Sequence, residues 1–166
     1  MATVTQQFDP GSAQFLSSSF PALVKNGTNF PVIGLAFDAA SAEAAFFAFR
    51  AVNYGSGNVT VSVDWYADTA SSGDVVWGAQ LAAITPDTDT QDVETKSLAT
   101  ANTVTDSHLG TTGQRLHRAS ITVSNLDSIA ANDDVWLRLY RDAANGSDTM
   151  TGDAIVADIA LSYSDT

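Results

Sequence analysis

The feature that most constrains this chain is a two-residue alternation of apolar and polar side chains, recurring in short runs separated by turn-forming residues. In Asn58–Tyr66, Val59, Val61, Val63 and Trp65 alternate with Thr60, Ser62 and Asp64. Successive side chains of a strand point to opposite faces, so this pattern predicts a strand with one buried face. The same period appears in His117–Val123, where Ala119, Ile121 and Val123 share a side. It returns in Val135–Arg141, with Val135, Leu137 and Leu139 opposite Trp136, Arg138 and Tyr140. A fourth run sets Ile155, Ala157, Ile159, Leu161 and Tyr163 against Val156, Asp158, Ala160 and Ser162. Pro31–Phe37, Val75–Ile84 and Val93–Val104 are less regular candidates. Between the runs stand Tyr54–Asn58, Ser71–Asp74, Gly110–Gly113, Asn132–Asp134 and Asn145–Ser147, all rich in Gly, Asn, Asp and Ser. The expected fold class is all-β, an antiparallel sandwich or barrel.

Two segments compete with that reading. Asp38–Val52 is Ala-rich with helix-cap residues at Asp38 and Ser41, which favours a helix by propensity. Its Phe46, Phe47, Phe49 and Val52 place bulk on both sides, which suits a strand buried on two faces, and the all-β context decides for strand. A one-turn helix is expected at Leu126–Ala131. Residues 1–30 are dominated by Ser, Thr and Gln, and Phe8, Phe15, Phe20 and Leu23 follow neither period. This stretch is expected to be an extended N-terminal arm preceding a sandwich domain over residues 31–166. Four large apolar anchors favour an arm laid on a neighbouring surface over a free tail.

Composition removes many functions. Seven basic against 19 acidic residues give a net charge of −12, which repels a phosphate backbone and an anionic membrane surface. No nucleic-acid or membrane partner is expected. The absence of Cys eliminates disulfides, thiolate nucleophiles and Cys-ligated metals. The first residues, Met1–Phe8, have neither the basic region nor the apolar core of a signal peptide, so synthesis in the cytoplasm is expected. Asp106, Ser107 and His108 are the residue types of a hydrolase triad, but adjacent side chains diverge and no Gly-x-Ser-x-Gly elbow exists. His117 falls on the apolar side of its strand and reads as a buried or interface side chain rather than a base. Asp87, Asp89 and Asp92 lack the central Gly and terminal Glu of a calcium loop, since Leu98 stands at the twelfth position. Asp142, Asn145, Asp148 and Asp153 form a second acidic loop, read mainly as capped, solvated turns. Neither catalysis nor a cofactor or metal is expected.

Trp136, Arg138 and Tyr140 share the polar side of their strand. Such a strip either stacks on sugar rings, with Tyr66 and Trp77 near turns adding to the platform, or covers a second sheet or a neighbouring subunit. The preference of large aromatics for burial favours covering.

Ser124–Val156, with its Asp-led strand ending in Arg141-Asp142 and its polar loop, stands beside Asn58–Ala67 and Ile84–Thr90 in the part of the chain from about Gly57 onward. With these stretches that part resembles the jelly-roll β-sandwich domains of tailed-phage and prophage structural proteins. The resemblance implies a jelly roll of about eight strands and a virion component: a capsid decoration or cement protein that trimerises on the head surface and contacts the major capsid protein. Phe8, Phe15, Phe20 and Leu23 of the arm, with Trp136, Arg138 and Tyr140, would then make the contacts. The alternative is a tail or fibre module that binds a carbohydrate receptor. No catalytic motif accompanies the resemblance.

Overall fold

Each of the alternating runs forms a strand, and in all but the last of them the alternation sets which face is buried. In the computed structural model, which describes residues 2–166, the strands are β1 (Thr3–Phe8), β2 (Ala22–Asn26), β3 (Val32–Phe37), β4 (Glu43–Arg50) and β5 (Val59–Ala67), followed by β6 (Asp74–Ile84), β7 (Asn102–Ser107), β8 (His117–Val123), β9 (Asp134–Arg141) and β10 (Ala154–Ser164). They build two antiparallel sheets, one ordered β2-β3-β10-β5-β8 with β1 also paired to β10, the other β4-β9-β6-β7. Strand β10 holds β3 along Ala154–Val156 and β1 along Ile159–Ser164, so both lie on one side of it while β5 occupies the other. From β3 to β10 the chain changes sheet at every connection except β6 to β7. The result is a sandwich of jelly-roll type, and Asp38–Val52 contributes a strand, β4, to it.

The core lies between the inward faces. Val59, Val61, Val63 and Trp65 of β5 meet Trp77, Ala79 and Leu81 of β6 and Val135, Leu137 and Leu139 of β9, all fully or almost fully buried. Trp77 is the hub: its ring stands edge-on to Phe37 at 5.3 Å and to Trp65 at 6.2 Å. Each large apolar side chain buried here is worth about 1.5–3 kcal/mol relative to exposure. Trp77 is therefore a core residue, not part of an aromatic surface.

Four expectations are corrected. Residues 1–30 are not an arm set apart from the sandwich. Thr3–Phe8 pairs with β10, Ala22–Asn26 pairs with β3, and Phe8 is buried against Phe47 at 5.3 Å and Phe49 at 6.0 Å. Sheet edges offer unpaired backbone groups, and these polar segments satisfy them, a contact that side-chain periodicity does not register. Second, Leu126–Ala131 is not helical: Ile129 N donates to Leu126 O at 3.0 Å, and Asp127 and Ser128 both have positive φ, a left-handed turn closed to a right-handed helix. Third, a register shift between Val156 and Asp158 breaks the alternation of β10, so Ile155 faces outward while Ile159, Leu161 and Tyr163 face the core. Finally, of the Val93–Val104 run only the last three residues are strand, as the start of β7 at Asn102–Ser107.

Candidate functional site

The outward face of the four-stranded sheet carries the residues best suited to contact a ligand. On β9 it presents Trp136, Arg138 and Tyr140, and cross-strand register determines what flanks each. Trp136 stands between Ala48 of β4 and Ala82 of β6, Arg138 between Phe46 and Gln80, and Tyr140 between Ala44 and Gly78. Large planar side chains thus alternate with minimal ones, which leaves room for the rings along the sheet. Gly78 is required here, because a Cβ at that position would overlap the Tyr140 ring. The Arg138 guanidinium lies 4.4 Å from the Tyr140 ring centroid and donates from Nη1 to Gln80 Oε1, while Gln80 Nε2 donates to Ala99 O at 2.8 Å. Burial, with Asp142 nearby, raises the Tyr140 phenol above its ordinary pKa despite the opposing Arg138 charge, so it stays a neutral hydroxyl.

Two walls turn this face into a groove. On the β4 side, Gln14 exchanges backbone bonds with Phe46 at 2.8 and 2.9 Å, and Ala44 N donates to Ser19 O at 3.0 Å. Residues 14–19 therefore run along the β4 edge and place Phe15 and Leu16 beside Phe46 and Trp136. On the β6 side, the long 85–101 connection is pinned by Ala99 N to Leu81 O at 2.8 Å and by the Lys96–Asp127 ion pair at 3.0 Å. Asp127 also accepts from Ala83 N at 2.8 Å, which fixes the pair to the sheet. Between the walls is a groove of about 400 Å³ lined by Phe46, Ala82 and Trp136, with Leu16, Val93 and Lys96 at its sides. A flat indole with amide, guanidinium and ammonium groups around it is able to stack on a ring and hydrogen-bond its substituents.

Other surfaces are less suited. A hollow of about 520 Å³ at Gln7, Pro10, Pro31 and Asp158 has no aromatic lining. One of about 450 Å³ on the outer side of the six-stranded sheet is bordered by Phe30, Tyr66 and Leu116 but is almost all carbon, and the Tyr66 hydroxyl already accepts from Asn26 Nδ2 at 3.1 Å. Tyr66 is thus on the opposite side of the molecule from Trp136.

The polar residues singled out in the sequence are engaged separately. Asp106 accepts from Trp65 Nε1 at 2.7 Å, Ser107 donates to Asp74, and His108 bonds the 110–113 loop, so no relay forms. Asp89 accepts from Thr85 N, and Asp92 from Glu94 N, both at 2.9 Å, as turn caps. Asp148 is buried against Arg141 at 2.7 Å, Asp142 accepts from Asn145 Nδ2 at 3.0 Å, and Asp153 sits apart beside Asp38 and Asp68. Among the described residues no group of three His, Cys, Asp or Glu side chains is arranged to hold a metal. No helix among the described residues is long and apolar enough to cross a membrane.

Of the expected contact residues, Trp136, Arg138 and Tyr140 are together at the groove, Phe15 borders it, and Phe20 packs on Phe15 at 5.3 Å. Leu23 is exposed on β2 in the other sheet. Phe46, Gln80, Ala82, Val93 and Lys96 were not anticipated as site residues. The one clue to them is Gly78 inside a strand-like run, a position where another group approaches the backbone closely.

No family model matches the chain, and no curated protein does. Solved structures of similar fold include carbohydrate-binding modules. A CBM28 module specific for non-crystalline cellulose has a TM-score of 0.54 and 15% identity, covering 89% of this chain and 86% of that one. A mannan-recognising module has a TM-score of 0.48 and 11% identity, with 99% of each chain covered. The C-terminal CBM6 of a laminarinase from Zobellia galactanivorans has a TM-score of 0.47 and 12% identity, covering 95% and 98%. The likeness is one of fold and rests on the first of these; none of the three is a phage structural protein. The fold of this chain is that of the jelly-roll β-sandwiches to which carbohydrate-binding modules also belong.

Proposed function

We propose that this chain is a non-catalytic carbohydrate-binding module whose ligand lies in the groove on the outward face of the four-stranded sheet. The observation that carries this reading is the half-buried Trp136 indole set between Ala48 and Ala82, next to Arg138 and Gln80 and walled on both sides. A sugar ring has an apolar C–H face and an equatorial rim of hydroxyls. The indole matches the first, and Arg138, Gln80 and Lys96 match the second. The fold likeness to a cellulose-specific module supports the same class of ligand.

Affinity electrophoresis of the purified chain through gels containing hydroxyethylcellulose, glucomannan, laminarin, xylan or polygalacturonate tests the proposal. Retardation by at least one polysaccharide, abolished in Trp136→Ala with the circular dichroism spectrum retained, is the expected result. Free migration in every gel would overturn it.

A second reading, a virion decoration subunit that assembles as a trimer, is favoured by the exposed apolar Phe15, Leu16, Phe20 and Val93 around the same groove. On that reading these residues and Trp136 bury against another copy or a capsid subunit. Light scattering separates the two: a trimer whose tryptophan emission shifts on dilution favours assembly, and a monomer retarded by glycan favours the module.

A further inference from the structure

Two buried imidazoles at the opposite end of the sandwich are outside the groove and outside its proposed role. His108 follows β7 and His117 opens β8, with ring centroids 4.5 Å apart. Trp65 stacks on His117 at 4.7 Å with 24° between planes. The partners of each ring assign its proton. His108 Nδ1 faces Gly110 N–H at 3.0 Å and must be bare, whereas its Nε2 faces Gly113 O at 3.0 Å and must carry the hydrogen. His117 Nε2 accepts from Leu109 N at 3.0 Å, which leaves the proton on Nδ1, a buried atom with no partner. Both rings are therefore neutral in this arrangement, and each uses its bare nitrogen to hold a backbone N–H of the loop between them.

We propose that His108 and His117 are a pH-operated latch: with their bare nitrogens they hold the 108–116 loop closed, and uptake of a proton by His117 releases it. Protonation of His117 at Nε2 replaces the N–H···N bond from Leu109 with two opposed donors. The charged groups facing the pair are Asp106 on β7, whose carboxylate is bonded by Trp65 Nε1, and Arg115 in the loop, whose guanidinium donates to Leu109 O. Asp64 and Arg118, next in register on β5 and β8, pair with each other on the outer side of the sheet. Burial first, then His108, lowers the His117 pKa from its ordinary value, with Asp106 opposing. Neutral His117 thus contributes stability that is complete above its unfolded pKa and lost as pH falls through the lower folded one. The loop it controls supplies Gln114 and Leu116 to the hollow beside Phe30 and Tyr66, and Gln114 ties it to Asp68 O. Opening therefore reshapes that surface and leaves the groove around Trp136 untouched.

Amide hydrogen exchange by NMR between pH 7.5 and 5, with nitrogen-detected histidine tautomers, tests the latch. At pH 7.5 His108 should be the Nε2–H tautomer and His117 the Nδ1–H tautomer. As pH falls, protection factors of Leu109 and Gly110 should decrease by up to about tenfold per pH unit for each proton taken up on opening. Those of Val61 and Leu161 in the core should hold. In His117→Gln the slope at Leu109 should drop. The opposite tautomers, pH-independent protection at Leu109 and Gly110, or a parallel loss at Val61 and Leu161 would overturn the proposal.

Discussion

Strand β9 has two faces that use the same residue types for different ends. Inward, after Val135, Leu137 and Leu139, it buries Arg141; outward, between Trp136 and Tyr140, it displays Arg138. Arg141 spends all five N–H groups, two on Asp148, one each on Phe37 O and Gly152 O, and one on Met150 O, while Asp148 also accepts from Val76 N at 3.0 Å. Nothing of it is left for a ligand. Arg138 makes one side-chain hydrogen bond and lies against an aromatic ring, with donors to spare. The contrast teaches that in this molecule a guanidinium is structural when its carboxylate comes from the loop that follows its own strand and carbonyls close around it. It is available when its neighbours are rings and an amide.

The comparison can be broken or sharpened by mutation. The largest effect is expected for Arg141→Ala, which strands a buried carboxylate. A loss of about 3–5 kcal/mol in urea unfolding should follow, with the 148–152 loop loosened. A smaller loss would mean that this face is not the scaffold it is taken for. Gly78→Ala comes next, since it forces Tyr140 off the sheet. About 1–3 kcal/mol of stability should go, and glycan retardation should weaken as Arg138 loses its ring. In Trp136→Ala, stability should change by under about 1 kcal/mol while retardation disappears. A cost rivalling that of Arg141→Ala would make the outward face core and collapse the distinction. Leu109 amide protection that falls between pH 7.5 and pH 5, and falls less in His117→Gln, would show the His117 imidazole acting on the closed loop with the sign its lowered pKa requires. The smallest effect is expected for Arg118→Ala: its guanidinium is exposed even though its partner Asp64 is largely covered, and the urea midpoint should hardly move.

Much of the scaffold was legible. The alternations of β5, β8 and β9 predicted both strand and buried face, because a half-buried strand must repeat every two residues. For β10 the reading failed at Ile155, since a bulge inserts one residue and reverses the faces beyond it. The strip of Trp136, Arg138 and Tyr140 was visible on one strand, yet its groove was not. Phe46 comes from β4, Gln80 and Ala82 from β6, Leu16 from an edge segment, and Val93 and Lys96 from a loop.

The sequence by itself determined the all-β class, most of the inward faces and the acidic, cysteine-free surface, because period and composition act residue by residue. Tertiary structure alone decided that Thr3–Phe8 and Ala22–Asn26 pair into the six-stranded sheet and that small residues flank Trp136 and Tyr140. It also decided that His108 and His117, nine positions apart in the chain and gathered against Trp65 of another strand, hold one loop. Those outcomes depend on register between distant strands, and register is fixed only when all the strands pack together.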